Sequence, residues 1–488
     1  MKKIICLLIC VASLMSIIAL AACSSPKENT QNNNQADKPK EDYLSGLDFG
    51  GKQIRFAIAA AKAGDYSNYG WVGCDVDEAN GDTVVDAVYN RNRIVEEKLN
   101  VDIEVAIATD GTLRETIITT LQSGDDEYDI LWGWPANDVY LCLDNYLLDI
   151  NQLDDSISYL DPEASWWATE YTKHYQFNDE IYWLSGPLSL IYAGGASCIF
   201  VNSRLYNSHF EQTYGNIYDF VKEGKWTIDE MAKMSSVVYQ DLDGNDKLSD
   251  EDVFGARFHN SWSIMETLIG CGLECVSRSA DGSLNFEVVH TNEKYITIVE
   301  GVYTLLSSTP GLSAEKGNWA DYDLFIDGKQ LFMYGQLDSM RTLRDMPDDF
   351  YIIPNPKFDI NQTEYRAAMV DWSQPMGIAY TCSCIDAATA TLELMAYTNE
   401  TMVLPLYFEQ ALKFKYSRDD NTAEMVDLIH NSVYTDFALV WEEYIWGDLW
   451  IRYPGFDKNI TSAIRKTSGG WIARFNELSE KFDKLGTV

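Results

Sequence analysis

The acidic stretch DLDGNDKLSDED, residues 241–252, has the spacing most specific for a chemical role in this sequence. Carboxylates and one amide stand at positions 1, 3, 5 and 12 of a twelve-residue loop, and position 7 offers its backbone carbonyl, which is the ligand order of a calcium loop. Two residues depart from that order, because Asp246 replaces the glycine of the sharp turn and Asp252 replaces the usual glutamate. The predicted calcium ligands are Asp241, Asp243, Asn245, Lys247 and Asp252.

The segments that flank this loop limit its role. The capping box TIDE at 227–230 predicts a helix that runs directly into the loop, and the extended stretch VFGARF at 253–258 follows where an EF-hand has its second helix. A regulatory EF-hand needs that second helix, and a dockerin needs a second copy of the loop, which the sequence lacks. We therefore expect a structural calcium site at the exit of a helix; the alternative is a solvated acidic turn.

A second group of candidate residues contains aromatic side chains that follow predicted strands. Trp71 follows the first strand, Trp132 and Trp134 end the third, and Trp262 and Trp372 follow later apolar stretches. A sugar presents a C–H face that stacks on aromatic rings and a rim of hydroxyls that binds Asp, Asn and Arg. The predicted ligand-binding residues are Trp71, Asp75, Trp132, Trp134, Asn137, Asn260, Trp262, Tyr334, Arg341, Asp371 and Trp372.

Each of these residues also has a purely structural interpretation. Core packing is the alternative for every tryptophan taken singly, and Arg341 has the alternative of an ion pair with an acidic neighbour such as Asp345. Trp441 and Trp471 lie at helical spacing from other aromatic residues, so we predict that both belong to the hydrophobic core.

The elements that must position these side chains alternate between strand and helix. QIRFAIA (53–59), VDIEVAI (101–107) and YDILWGW (128–134) are predicted strands. Helices are predicted from about Thr83 and from the capping box TLRE at 112–115. This order predicts a parallel sheet with helical crossovers, and such sheets bind their ligands beyond the carboxyl ends of the strands.

The N-terminus predicts export and tethering. An uncharged apolar run at residues 4–22 follows two lysines and ends in LAAC at 20–23, which resembles the lipobox of bacterial lipoproteins. We expect residues 1–22 to be a signal peptide and Cys23 to carry a diacylglycerol; the alternative is an ordinary signal peptide or an uncleaved anchor. Residues 24–42 contain one small apolar residue and no aromatic residue, and we predict that residues 23–46 are the lipidated cysteine and a flexible stalk.

Charge and cysteine content exclude several classes of protein. The formal net charge is −38, whereas a nucleic-acid-binding protein needs a basic face, so we expect no nucleic-acid partner. Ten cysteines are present; Cys6 and Cys10 leave with the signal peptide and Cys23 is the predicted lipidation site, so seven remain. An odd number in a long chain argues against a disulfide framework, and no second pair or histidine lies at zinc spacing. Buried free thiols are predicted.

Several segments together resemble the extracellular solute-binding lipoproteins of ABC importers, in the carbohydrate-binding branch that includes maltodextrin-binding proteins. The resemblance covers essentially the whole chain after the stalk and rests on the order of its segments more than on any single motif. The segments are TVVDAVYNRNRIVEEKLNVDIEV, SCIFVNSRLYN, VKEGKWTIDEMAKM and LFIDGKQLFMYGQLDSMRTLRDMPDDFYIIPNPKF.

This resemblance implies a two-lobed α/β fold of the periplasmic-binding-protein type. Each lobe would be a mostly parallel sheet flanked by helices, and strands would join the lobes at a hinge. We assign residues 47–185 and 331–386 to the first lobe, and residues 186–330 and 387–488 to the second. A carbohydrate would bind in the cleft between them, and closure would be a hinge motion.

The resemblance also implies a function without catalysis. The chain would be a monomer on the extracellular face of the cytoplasmic membrane, held to the bilayer through Cys23, and would deliver a sugar to an ABC permease. The alternatives are a surface glycoside hydrolase and the same fold with another ligand, such as a peptide. The sequence lacks H-E-x-x-H and G-x-S-x-G motifs, but a glycosidase needs only two well-placed carboxylates.

Overall fold

A computed structural model gives the fold of the folded body. It describes residues 44–59, 73–74, 78–108, 113–258, 261–279, 282–285, 292–314, 322–369, 373–413, 420–441 and 460–485. The predicted signal peptide and Cys23 lie outside these residues, so the lipoprotein prediction stays a prediction. Leu44 is 6% exposed and packs in the core, so the folded body begins before residue 47. In the described part of the chain, no helix is long and apolar enough to cross a membrane.

Two sheets organise the folded body, one of four strands in the order β12-β3-β1-β2 and one of five in the order β10-β4-β9-β5-β8. Two short pairs, β11-β13 and β6-β7, accompany them. The strands are β1 (Lys52–Ala59), β2 (Val101–Ala108), β3 (Ile130–Trp132), β4 (Ser197–Asn202), β5 (Phe254–Phe258), β6 (Ser277–Arg278), β7 (Leu284–Asn285), β8 (Leu312–Ala314), β9 (Gln330–Gln336), β10 (Phe350–Ile353), β11 (Ala367–Ala368), β12 (Met376–Ile378) and β13 (Val433–Tyr434).

Helices surround both sheets, and within the described ranges three 3₁₀ turns lie at Val139–Cys142, Ile150–Gln152 and Leu337–Ser339. The helices of the described residues are α1 (Thr83–Leu99), α2 (Leu113–Ser123), α3 (Pro135–Asp138), α4 (Thr169–Thr172), α5 (Leu190–Gly194), α6 (Ser203–His209), α7 (Glu211–Tyr214), α8 (Ile217–Lys222), α9 (Ile228–Val238), α10 (Ser261–Gly270), α11 (Glu293–Ser308), α12 (Tyr322–Ile326), α13 (Met340–Leu343), α14 (Ile385–Met402), α15 (Leu404–Lys413), α16 (Asp420–Asn431), α17 (Phe437–Val440) and α18 (Ile460–Phe482).

The first sheet confirms the predicted alternation of strands and helices. β1 pairs in parallel with β2 and with β3, and β12 adds an antiparallel strand beside β3. Ile54, Phe56 and Ile58 lie in one core cluster with residues of α14, whereas Ala57 and Ala59 lie in another with residues of α2. Side chains alternate between the faces of a strand, so the period-2 pattern in the sequence places a helix layer on each side of β1.

The second sheet is mixed and buried on both faces. β5 pairs in parallel with β8 and β9, whereas β4 pairs antiparallel with β9 and β10. All residues of β4 and β5 are buried. The predicted helix before the acidic loop is α9, and the Thr227 hydroxyl at its N-cap accepts the N–H of Glu230 at 3.4 Å.

The lobe boundaries differ from the predicted ones. β9 and β10 belong to the second sheet, although residues 331–386 were assigned to the first lobe, and the chain re-enters the first sheet only at β12. Conversely, α14 packs on α1, β1 and β12, so it belongs to the first lobe although residues 387–488 were assigned to the second. Strands buried on both faces are uniformly apolar, so their sequences do not reveal which sheet they join.

Candidate functional site

The carboxyl end of the first sheet is a defined edge. β12 runs antiparallel to β3, and its first residue, Met376, is the register partner of Trp132 at the end of β3. Beyond that pair, the N–H of Gly133 donates to the carbonyl of Pro375 at 3.0 Å. This edge is the place where a doubly wound sheet binds its ligand.

A buried carboxylate fixes the loop that carries Trp134. The ring of Trp134 is partly buried, and the backbone N–H of Trp134 donates to Oδ2 of Asp138 at 2.8 Å. Asp138 is 0% exposed and also accepts the N–H of Arg114 at 3.0 Å. A side chain at Gly133 would not fit, because its Cβ would lie 2.5 Å from Cβ of Asp138. Trp134 therefore has a rigid support at the sheet edge.

Trp132 lies inside the first lobe. Its side chain is 0% exposed and packs in the cluster that contains Phe56 and Met376. Its indole Nε1 has no hydrogen-bond partner among the described residues. A ring without exposed surface offers nothing for a sugar to stack on, so in this conformation Trp132 is a core residue and its predicted binding role is not supported.

Several predicted binding residues lie where the structure gives no side chain to examine. Asn137 lies in α3, but its side chain is not described. The predicted binding residues outside the described ranges are Trp71, Asp75, Asn260, Asp371 and Trp372. Their roles stay predictions.

The second sheet has a corresponding edge. β5 ends at Phe258 and β9 ends at Gln336, and Ser197, the first residue of the antiparallel β4, is the register partner of Gln336. α10 starts just beyond this edge. Trp262, in its first turn, is partly buried and packs against the core, and Gln336 is partly exposed. Trp262 is thus the counterpart of Trp134.

Tyr334 lies below this edge and has a packing environment. It is 4% exposed, and its hydroxyl lies 2.7 Å from Oγ1 of Thr267 and 3.7 Å from Sδ of Met231. Its ring centroid lies 4.9 Å from that of Phe258. With its hydroxyl engaged inside the protein, Tyr334 is better explained as a core residue than as a ligand contact.

Arg341 forms an ion pair, as the structural interpretation proposed, but with another partner. Its Nη1 lies 3.0 Å from Oδ1 of Asp338, whereas Asp345 pairs with Arg344. The same Asp338 oxygen accepts a hydrogen bond from the hydroxyl of Tyr407 at 3.5 Å. Both side chains of the Arg341 pair are partly exposed, so the pair contributes little stability.

One short segment joins the two edges. Residues 184–196 start at Leu184, which pairs with Met376 beside the first edge. They end at Ala196, whose carbonyl accepts the N–H of Leu337 at 3.0 Å beside the second edge. The candidate cleft therefore lies between the carboxyl ends of the two sheets.

A second crossing segment contains a residue that the sequence reasoning missed. Gln374 lies between β11 and β12, is fully buried and has a φ of 38°, in the left-handed region that non-glycine residues rarely adopt. Its amide donates to the carbonyl of Ala59 at 3.1 Å and accepts from the hydroxyl of Ser189 at 3.5 Å. It thereby ties this segment to β1 and to the first crossing segment.

Glu266 and Gln336 are two further residues of the candidate site that the sequence reasoning missed. Nε2 of Gln336 lies 3.5 Å from Oε1 of Glu266, and Glu266 is 7% exposed. One signal was available in the sequence, because Glu266 is the only charged residue in the apolar helix SWSIMETLIG. Acidic side chains are rarely buried, so a carboxyl group on an otherwise apolar helix indicates a residue with a specific partner or role.

The acidic loop has the geometry of the predicted turn. Oxygen atoms of Asp241, Asp243 and Asp252 lie within 4.8 Å of one another. The Asp241 carboxylate accepts the N–H groups of Gly244 at 2.7 Å and Asp246 at 2.9 Å. Asp246 has a φ of 58°, so it adopts the left-handed conformation that a glycine would favour at this position.

The remaining loop contacts also suit a set of oxygen ligands. Oδ1 of Asn245 accepts the N–H of Lys247 at 2.7 Å. Asp252 is 0% exposed, and Leu242 and Ser249 donate their N–H groups to it at 2.8 Å and 2.7 Å. The three carboxylates gathered in this turn supply hard oxygen atoms, which are the ligand type that calcium prefers.

All seven cysteines outside the N-terminal segment are free and buried, which confirms the prediction. Cys382 and Cys384 lie beside Asp129, and together the three residues resemble a metal-ligand group. However, the Asp129 carboxylate already binds the guanidinium of Arg55, with Nε at 2.9 Å and Nη2 at 2.7 Å. A second cation at this carboxylate would be repelled by the first, so the thiols are structural.

Comparison with known proteins supports the fold. No family model matches the chain, and no curated protein matches it by sequence. A cyclo/maltodextrin-binding protein complexed with maltotetraose has 12% identity and a TM-score of 0.51, over 90% of this chain and 98% of that one. UspC of M. tuberculosis has 10% identity and a TM-score of 0.52, over 86% of this chain and 100% of that one. The chain therefore has the two-lobed α/β fold of solute-binding proteins.

Proposed function

We propose that this protein is the solute-binding component of an ABC importer and captures a sugar or an oligosaccharide between its two lobes. The observation that carries the proposal is the pair of sheet edges, with Trp134 supported at one and Trp262 at the other. Partly exposed aromatic rings on both sides of a cleft suit the two faces of a sugar ring. The maltotetraose bound to one structurally similar protein supports an oligosaccharide ligand.

We infer that the lobes close on the ligand by a hinge motion at the two crossing segments. Residues 184–196 and the segment around Gln374 join the two sheets, and hinges of two-lobed proteins are a few residues of this kind. Closure would bring the edge with Trp134 and the edge with Trp262 onto opposite faces of one ligand. The protein would bind without chemical change and release the ligand to a membrane permease.

We also propose that the chain is a monomer anchored on the extracellular face of the cytoplasmic membrane through a diacylglycerol on Cys23. The LAAC sequence at 20–23 supports this anchor. Two acyl chains give stable membrane binding, whereas one gives only marginal binding. Replacement of Cys23 by serine should release the protein from membranes or leave it unprocessed; normal processing with unchanged retention would contradict the anchor.

Calcium at the acidic loop is the third part of the proposal. Asp241, Asp243, Asn245 and Asp252 would supply side-chain oxygens, and Lys247 its carbonyl. The loop follows α9 and ends where Gln240 and Val253 form an antiparallel bridge, so the ion would hold the exit of a helix against the start of β5. Its role would be structural.

The test of the main proposal is a thermal-shift screen of the purified protein against neutral mono- and oligosaccharides, with maltotetraose among them. A ligand that binds only the folded state raises Tm by linkage. We expect at least one sugar to raise Tm in a saturable way and to be recovered unchanged. Turnover of that sugar would instead favour a glycoside hydrolase, and no shift with any sugar would favour a non-sugar ligand such as a peptide.

A further inference from the structure

Glu266 occupies an unusual position in the second lobe. It lies one helical turn after Trp262 in α10, so the two side chains lie on the same side of the helix. The side chain is 7% exposed. Nε2 of Gln336, at the end of β9, donates to Oε1 of Glu266 at 3.5 Å. Glu266 thus lies directly behind the sheet edge at which we place the ligand.

The position of Gln336 is fixed independently of Glu266. Its side chain accepts the backbone N–H of Ser339, and the Ser339 hydroxyl in turn bonds the backbone N–H of Gln336. This reciprocal cap holds the carboxamide oxygen and leaves its NH₂ group directed at Glu266. The carboxyl group of Glu266 therefore faces a fixed donor on one oxygen.

Nothing in the described part of the chain compensates a negative charge on Glu266. The bond from Gln336 is its only hydrogen bond there, and it has no ion pair. The titratable groups that face it are Cys198 on β4 and Tyr334 on β9, and burial keeps the pKa of both well above their usual values, so both are uncharged. Burial likewise raises the pKa of Glu266 to about 8, against a small lowering by the Gln336 amide.

We propose that Glu266 binds the solute as an uncharged carboxylic acid, donating its hydroxyl to an oxygen of a neutral, polyhydroxylated ligand while its carbonyl oxygen accepts from Gln336. This inference rests on the proposed function, because it assumes a ligand at the edge formed by Trp262 and Gln336. Glu266 is then a ligand-contacting residue, and the ligand is an uncharged hydrogen-bond acceptor.

Ligand binding is then coupled to protonation. A ligand seated over Glu266 covers the remaining exposed surface of this residue and removes water from it. Loss of water disfavours the charged form, so the bound protein holds the proton more tightly than the free protein. Affinity should be constant well below pH 8 and fall by up to about tenfold per pH unit above it, with uptake of a proton on binding.

The first measurement needs no ligand. The infrared difference spectrum between wild type and Glu266→Gln should contain a protonated-carboxyl band that disappears as the pH rises past about 8. Glutamine has the shape of the neutral acid and keeps a donor, so this variant should fold. If the band is absent near neutral pH, Glu266 is ionised and the inference is overturned, whatever sugars the protein binds.

The second measurement is calorimetric titration of the full chain with maltotetraose at several pH values, in buffers of different ionisation enthalpy. Wild type should take up a proton near pH 8 and bind more weakly above it. Glu266→Gln should bind as wild type does at about pH 6 and show no proton uptake, and Glu266→Ala should lose about five- to tenfold in affinity. Glu364→Gln removes an exposed carboxylate of the second lobe and should behave as wild type.

The outcomes separate this inference from the proposed function. Binding that is insensitive to pH, or the same profile in Glu266→Gln, overturns the role of Glu266 and leaves sugar capture intact. Proton release on binding also overturns it, because it means that the carboxylate is the bound form, as an amino sugar would require. If the carboxyl band is present but maltotetraose does not bind at any pH, the result contradicts a maltodextrin as the ligand of the proposed function.

Discussion

Each of the two sheet edges has a buried carboxyl group behind it, and the two groups differ in how they are satisfied. Asp138, at the first edge, is 0% exposed and accepts the N–H groups of Trp134 and Arg114. Burial raises its pKa, and those N–H groups act against the rise. Glu266, at the second edge, is 7% exposed, accepts one hydrogen bond from the described residues, at 3.5 Å, and has its pKa raised by burial to about 8.

This difference separates a structural acid from a functional one. A carboxylate that accepts backbone N–H groups on a tight loop holds that loop, and its removal leaves donors unpaired inside the protein. A buried carboxyl group with one distant partner makes no such contribution and has capacity left for a ligand. The following predictions test whether Asp138 belongs to the fold and Glu266 to the site.

The largest effect should come from Asp138→Ala. Loss of the carboxylate removes the acceptor of the backbone N–H groups of Trp134 and Arg114 in a partly buried loop, so the free energy of unfolding should fall by about 3 kcal/mol, as measured by urea denaturation. Asp144→Ala, which removes a half-exposed ion pair with Arg114, is the matched control and should change it by less than about 1 kcal/mol. Equal costs for both variants would mean that Asp138 does not support the edge.

Glu266→Gln should have the opposite effect and raise the free energy of unfolding relative to wild type as the pH rises. Its pKa in the folded protein, about 8, lies above that of a glutamate in the unfolded chain, so its contribution to stability is fully present at low pH and is lost as the pH rises toward 8. Between about pH 5 and pH 7, wild type should lose about 2 kcal/mol relative to Glu266→Gln. Urea denaturation of both proteins at each pH measures this difference. A constant difference would mean that the pKa of Glu266 is the same in the folded and the unfolded protein, which contradicts an uncharged carboxyl group at the site.

The elements in the first half of the chain could be predicted because short-range sequence patterns determine them. The alternation in β1, the capping boxes before α2 and α9, and the strand–helix order are local properties, and the structure has these elements at or within a few residues of the predicted positions. The lobe boundaries were not predictable in this way, because β9 joins the second sheet through pairing partners distant in sequence. The left-handed Gln374 likewise depends on contacts with Ala59 and Ser189.

The candidate site was predictable only in part, for a similar reason. Trp132 and Trp134 are two residues apart and both follow an apolar run, but the strand ends between them, so Trp132 is buried and Trp134 is partly exposed. Trp441 and Trp471 are buried as their helical spacing predicted. Whether an aromatic residue at a strand end faces the core or the cleft depends on the next few backbone angles, which composition does not determine.

A smaller effect, on binding alone, is expected for the two aromatic residues of the edges. Trp134→Ala and Trp262→Ala should each weaken binding of the best sugar ligand by about 0.5–1.5 kcal/mol, which is several-fold, and titration calorimetry measures it. Trp471→Ala is the control, because it empties a core site that is 3% exposed and should lower stability without a direct effect on affinity. If Trp134→Ala binds as wild type but unfolds at a lower temperature, the ring belongs to the core.

The smallest effect should come from the acidic loop, whose carboxylates lie between α9 and β5. Extracellular calcium modules have dissociation constants of about 10⁻⁴ to 10⁻³ M, so about 1 mM calcium should stabilise the fold by about 0.4–1.4 kcal/mol, seen as a rise in Tm that a chelator reverses. Asp241→Asn should abolish the calcium-dependent rise while keeping an acceptor for the N–H of Gly244, and the exposed Glu251→Gln should keep the rise. Sugar affinity, measured well below Tm, should not change with calcium, since the loop acts on stability and the edges act on binding. A chelator that abolished sugar binding in the folded protein would show that calcium acts at the binding site and that the loop carboxylates are functional groups.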